Sequence, residues 1–152
     1  MTQNGIVLVV SVSIIKDNKV LIIKENKPTA PNKWNFPSGR IEHKEDILYA
    51  ACREVKEETG FDVKLNGTTG IYNFISSSNN QVFLFHFTAE IIGGSLRIVE
   101  DEIVDSKWIK VSEIMNLDNK ELRDANVTKQ IVLRLLNQEF HSLTVFNKQL
   151  CN

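Results

Sequence analysis

Hydrophobic and polar residues alternate from Val10 to Ile14 (Val10-Ser11-Val12-Ser13-Ile14), inside the apolar run IVLVVSVSII of residues 6–15. A period of two with β-branched residues predicts a strand. Lys16-Asp17-Asn18-Lys19 is a turn signal, and Val20–Ile23 resumes as a second strand. Residues 25–39 contain all three prolines (Pro28, Pro31, Pro37), which predicts a loop, since proline removes a backbone donor. The period then changes. Ile47, Leu48, Ala51, Cys52 and Val55 share one face at about 100° per residue, so a helix is expected from Asp46 to Thr59. Asp46 suits its N-cap and Gly60 its left-handed C-terminal stop.

Beyond the helix, Phe61–Leu65 and Ile71–Ile75 are candidate strands, and Ser76–Asn80 is a polar turn. Gln81–Ile92 is a strand with Phe83, Phe85 and Phe87 on one face and Val82, Leu84 and His86 on the other, closed by Gly93-Gly94. Trp108–Lys110 reads as a short strand, Ser112–Met115 as a helical turn, and Thr128–Phe140 as a C-terminal helix. Strands flanked by two separate helices predict a mixed α/β sandwich in one domain. Most aromatics that could stack a base (Trp34, Phe36, Tyr72, Phe74, Phe83, Phe85) are expected to pack as core, and His86 to be structural.

With 152 residues, 42% of them hydrophobic and 24% charged, the chain has the composition of a single globular domain. Eighteen Lys+Arg against nineteen Asp+Glu excludes a strongly basic nucleic-acid binder. The longest apolar run is too short to span a bilayer and lacks a signal peptide's flanks. Two cysteines provide neither a disulfide framework nor zinc spacing. The expectations are a start near Met1, a cytoplasmic location, a small-molecule partner, no stable nucleic-acid complex and no membrane. A homodimer is left open.

The segment GRIEHKEDILYAACREVKEETGF, residues 39–61, is the most informative. Glu54, Glu57 and Glu58 stand at i, i+3 and i+4; with Ile47 at 0° they project at about −20°, −80° and +20°. They form one acidic stripe, with Glu58 at the edge of the apolar face. Like charges so spaced each cost roughly 0.2–0.5 kcal/mol. In the last turn the helix dipole adds roughly 0.3–1 kcal/mol against Glu57 and Glu58. A divalent cation would reverse both effects, and hard carboxylate oxygens suit Mg²⁺ or Mn²⁺. The alternative is a solvated face on which Glu57 pairs with Arg53.

The complete spacing is more restrictive. Gly39, Glu45, Arg53, Glu54, Glu57, Glu58 and Gly60, with Val55 and Phe61 in two apolar slots, resemble the Nudix box, the signature of the Nudix hydrolase family (MutT-like members among them). Trp34-Asn35-Phe36-Pro37-Ser38-Gly39 resembles the lead-in of bacterial members. Ser38 stands where many carry a second glycine. Glu102, six residues before Trp108, resembles a downstream acidic position of the family.

The resemblance implies an α/β fold, a Nudix-type α/β/α sandwich with a mixed β-sheet, as one domain over residues 1–152. It implies divalent-metal-dependent hydrolysis of a pyrophosphate linkage in a nucleoside diphosphate joined to X, with Mg²⁺ or Mn²⁺. Glu57 and Glu58 become expected metal ligands, with the Ser38 carbonyl as a third, and Glu54 a further ligand or the base. Glu102 is a second candidate base or ligand, or else a surface charge in the run Glu100-Asp101-Glu102. Glu45 and Arg53 hold the loop to the helix by a salt bridge. Asn126 resembles a base-reading position of mutator-type members, or else caps a helix; Phe36 and Arg40 complete the substrate-binding candidates. Ser76–Asn79 lacks the proline of ADP-ribose enzymes and the tyrosine of dinucleoside polyphosphate enzymes. A nucleoside triphosphate, oxidised or noncanonical among the options, is therefore the leading substrate. A sugar nucleotide, ADP-ribose and a noncatalytic nucleotide sensor are the alternatives.

The near-zero total charge conceals segregation. Residues 39–62 hold seven acids against four bases, and residues 100–105 add four acids, whereas residues 16–33 hold five lysines against two acids.

Overall fold

The computed structural model describes residues 5–28 and 30–151; the expected start near Met1 lies outside them. Strand β1 (Ile6–Lys16) turns back into β2 (Lys19–Lys27) through Asp17 and Asn18, both left-handed at φ 52° and 62°. That is the two-residue turn whose twist matches a hairpin, and Asp and Asn tolerate it. Residues 25–39 are not the predicted loop. β2 runs on to Lys27, β3 covers Ala30–Asn35 and β4 covers Ser38–Arg40. The prolines mislead because β3 is an edge strand, where Pro31 breaks no interior ladder. Pro37 lies between strands, and its carbonyl accepts from Val12 N at 3.0 Å.

Helix α1 (Ile47–Thr59) starts and stops where the caps predict. The Asp46 side chain accepts from Leu48 N and Tyr49 N, and Gly60 is left-handed at φ 83°. The two strands expected after it are one, β5 (Phe61–Ile75), which is bulged near Gly67 and Gly70. β6 (Gln81–Gly94) follows, then β7 (Ile103–Lys110), longer than the predicted Trp108–Lys110 because it pairs along β2. α2 (Val111–Ile114) is a single turn, and α3 (Ala125–Leu136) begins three residues before the predicted start and ends four before the predicted end.

The strand order is β3-β2-β1-β6-β5, with β4 on β1 and β7 on β2. β1 and β6 are parallel and the other pairs antiparallel, so the sheet is mixed. The Thr68 and His141 backbones exchange hydrogen bonds of 3.0 and 2.8 Å beside β5, and Arg123 N donates to Trp34 O at 3.0 Å beside β3. Alternation along β1 sends Val10, Val12 and Ile14 into the core under α1. A second core, with Val20, Ile22, Trp34, Phe36, Ile131 and Leu135, packs under α3. This is the expected α/β/α sandwich.

Ser11 and Ser13 point away from the α1 core and bracket His86. Ser11 Oγ lies 2.6 Å from Nδ1 and Ser13 Oγ 2.7 Å from Nε2. His86 is wholly buried, and burial lowers its pKa from 6.5 to about 3. The two hydroxyls satisfy both nitrogens of the neutral ring, one as acceptor and one as donor, and loss of hydration is what disfavours the charged ring. The unfolded chain takes up a proton below pH 6.5 that the folded state refuses until about pH 3, so stability from His86 is complete above pH 6.5 and falls as pH drops. Denaturant titrations between about pH 4 and 6 are expected to show a slope up to about 1.4 kcal/mol per pH unit steeper than in His86→Gln.

Candidate active site

Four carboxylates surround one guanidinium on the outer face of α1. Arg53 grips Glu45 with both forks, Nε to Oε2 at 2.5 Å and Nη2 to Oε1 at 2.9 Å. Its Nη1 donates to Glu54 Oε1 at 2.9 Å and to Glu57 Oε2 at 3.1 Å, with Glu42 3.8 Å away, and Nη2 reaches Arg40 O at 3.1 Å. The fork-on-fork geometry is the strong form of this pair. It fastens the loop before α1 to the helix, and it holds Glu45 below the usual carboxylate range.

Gly39 has no Cβ for a physical reason: one built there would overlap the Glu54 carboxylate. Glu54 therefore lies in a notch of β4. Burial, against the pull of Arg53, raises its pKa. Glu58 is 3% exposed, and its Oε1 accepts from Ser38 N at 2.6 Å. Burial, then the nearby charge of Glu25, pushes Glu58 well above its ordinary value. Glu57 remains half-exposed at the rim. Among the described residues, no three carboxylates, imidazoles or thiols converge as a ready-made coordination shell. Glu54 and Glu57 turn to Arg53, and Glu58 turns to the Ser38 backbone. The donor set nonetheless fits a hard cation: Glu54 and Glu57 share a single nitrogen, and the buried Glu58 forms no ion pair among the described residues.

These acids line one end of a cleft of about 360 Å³. Val9, Phe74, Val82, Leu84 and Ile131 line the apolar part, and Ser11 lines it too. Of the predicted residues, Phe36, Ser38, Gly39, Arg40, Glu54, Glu57 and Glu58 line the cleft. Glu45 and Arg53 do not line it. Glu102 does not line it: its side chain is exposed in a turn, and its carbonyl accepts from Asn26 N at 2.7 Å. Glu100 lines it instead, with a pKa raised by burial and by Glu57. Asn126 is exposed in the first turn of α3, because that helix begins at Ala125, and Asp124 takes the place on the cleft wall. Sequence reasoning missed Lys27, Asn35 and Arg123, which also line it. The available signal was a strand-like Val20–Lys27 ending in charges. Among the described residues no helix is long and apolar enough to cross a membrane.

The NUDIX domain model matches residues 6–131. An ADP-ribose pyrophosphatase of Methanocaldococcus jannaschii is 32% identical over 107 residues, 70% of this chain and 59% of that protein. An 8-oxo-dGDP phosphatase of Danio rerio is 31% identical over 111 residues, 71% of this chain and 33% of that protein. The chain thus spans from about a third to three-fifths of the length of these relatives. The structure of a NUDIX hydrolase from Nitrosomonas europaea superposes with a TM-score of 0.82 at 25% identity, covering 93% of this chain and 95% of that one. The chain belongs to the Nudix family. Nudix hydrolases as a class need a divalent metal and act on small nucleotide substrates.

Replacing Arg53 by alanine leaves Glu45, 6% exposed, and Glu54, 14% exposed, without their cation. A loss of about 1.5–3 kcal/mol at neutral pH is expected by urea unfolding, the range for hydrogen bonds to charged groups. Because Glu45 is held below 4.5 when folded, the pair's contribution is present above that pH and is lost as pH falls through the lowered value. The protein and Arg53→Ala should therefore converge in strong acid.

Proposed function

We propose that the protein hydrolyses a nucleoside triphosphate to nucleoside monophosphate and pyrophosphate, through one domain spanning residues 1–152. The carrying observation is the seat of Glu54: a carboxylate with raised pKa, lodged between Gly39 and Arg53, beside a cleft that is acidic at one end and apolar beyond. The apolar part suits a base and sugar, and the acidic end suits cation-neutralised phosphates. Glu57, Glu58 and Glu54, with the Ser38 carbonyl, would hold Mg²⁺ or Mn²⁺. When bound, the cation offsets charge on the phosphate oxygens. Glu54 accepts the proton of the attacking water as its oxygen bonds to phosphorus and the bridging P–O bond breaks. Arg53 and Glu45 hold that carboxylate in line, and Phe36 and Arg40 border the bound nucleotide. Two free thiols, Cys52 and Cys151, support a reducing, cytoplasmic setting.

A second reading, hydrolysis of ADP-ribose or another nucleoside diphosphate derivative, is supported by the archaeal relative's name. A panel of triphosphates, oxidised bases included, and diphosphate derivatives, assayed with Mg²⁺ and Mn²⁺, separates the two. Turnover of triphosphates with pyrophosphate release is expected. Turnover confined to ADP-ribose or sugar nucleotides would transfer the assignment, and tight binding with no turnover would make the protein a sensor.

Glu57→Gln and Glu58→Gln are expected to abolish metal-dependent turnover; normal rates in both would end the metal-site assignment. Glu54→Gln should lose at least ~10² in kcat with the fold intact. Gly39→Ala displaces only the flexible end of Glu54, so its melting temperature should stay close to the parent's while kcat falls by roughly 10².

A further inference from the structure

Next to the Glu58 seat lies a charge cluster built on a carboxylate that the proposed reaction does not use. Glu25, on β2, is 0% exposed. Its Oε1 accepts from Asn35 Nδ2 at 3.1 Å and from Arg123 Nη1 at 3.3 Å. Its Oε2 lies 2.8 Å from Lys27 Nζ. That approach is off-angle, so Oε2 has a charge partner and no hydrogen bond among the described residues. Asn35 Nδ2 also donates to Ser38 Oγ at 3.0 Å, tying the cluster to β4 and the Glu58 seat. Asn35 and the two cations line the cleft, while Glu25 lies behind them. Lys27 and Arg123 each keep 30% of the side chain exposed.

The carboxylate of Glu25 is buried behind the two cations, so Lys27 and Arg123 face the cleft, with Asp124 at 3.9 Å from Arg123 Nε as the acid beside them. Glu25 holds Lys27 as a charge partner and engages only Nη1 of Arg123, so ammonium and guanidinium donors remain for a ligand. The cations come from distant parts of the chain, the end of β2 and the residue two before α3, and the shared carboxylate holds both in place. Held cations bind an anion at lower entropic cost than free surface lysines.

We propose that Lys27 and Arg123, fixed on Glu25, form an anion subsite that receives the phosphate groups of a nucleotide in this cleft. The subsite rests on the nucleotide reading above and gives it a second charged wall. One end of the phosphate chain meets the acidic stripe through cations, and the other meets Lys27 and Arg123 directly.

The test is calorimetric binding of inorganic tripolyphosphate and of an α,β-methylene nucleoside triphosphate in Mg²⁺, beside the matching nucleoside monophosphate. Lys27→Met and Arg123→Met should each weaken both polyphosphate probes roughly 10-fold, as loss of a charged hydrogen bond predicts. Lys27→Arg and Arg123→Lys should retain most of the affinity, and melting curves confirm that each variant is folded. The monophosphate should weaken less than the triphosphate. A folded double methionine variant that binds tripolyphosphate within about two-fold of the parent overturns the subsite even if the parent hydrolyses nucleotides. A parent that hydrolyses nothing, yet loses tripolyphosphate affinity on these substitutions, keeps the subsite and ends the hydrolase reading.

Discussion

The cleft depends on the pairing of Arg53 with Glu45. Three glutamates on the last turns of α1 repel one another and oppose the helix dipole. One planar guanidinium, clamped from behind by Glu45, gives two of them a common partner and frees the third to fold inward to Ser38. A lysine could not replace it, since an ammonium has no fork to grip Glu45 while it reaches Glu54 and Glu57. The loop at Gly39–Glu45 is thereby locked to α1, and β4 brings Gly39 against the Glu54 carboxylate.

Electrostatics across the cleft follow a consistent plan. On the α1 wall the acids outnumber the cations, and burial raises Glu54 and Glu58. On the facing wall burial also works against Glu25, but Lys27, Arg123 and Asn35 outweigh it and bring that carboxylate down. Glu25 and Glu58 feel each other's charge, so the walls are coupled through the interior. Buried charges are screened much less than exposed ones, so the charge of Glu25 bears on the protonation of Glu58.

Local rules made much of this legible before the structure. Asp46 and Gly60 mark both ends of α1, and the β1 alternation sorts its side chains correctly between core and polar layer. The spacing from Gly39 to Phe61 locates the acidic stripe. The misses have physical causes. Proline on an edge strand looks like a loop, because sequence pattern does not show which strands have a neighbour on both sides. Spacing alone singles out Glu102 and Asn126, which stand exposed in a turn and in the first turn of α3, while their neighbours Glu100 and Asp124 line the cleft. Glu25, Lys27 and Arg123 were invisible as a group, since 98 residues separate Glu25 from Arg123 and only the tertiary fold joins them.

The treatment of the two outermost strands affects how the chain behaves when crowded. A bare strand edge is a template for another polypeptide to add to, the first step toward aggregation. On β5, fifteen residues long, the His141 backbone occupies the ladder position at Thr68, and three bulges twist the edge out of flatness. On β3, Pro31 and Lys33 border an edge already covered where Leu122 and Arg123 lie beside Trp34. The two segments that follow the sheet in sequence therefore act as edge guards, and the arginine that faces the cleft also helps to close one of them. Loosening the segment before α3 would expose that margin as well as disturb the cleft, linking the ligand-facing wall to resistance against self-association.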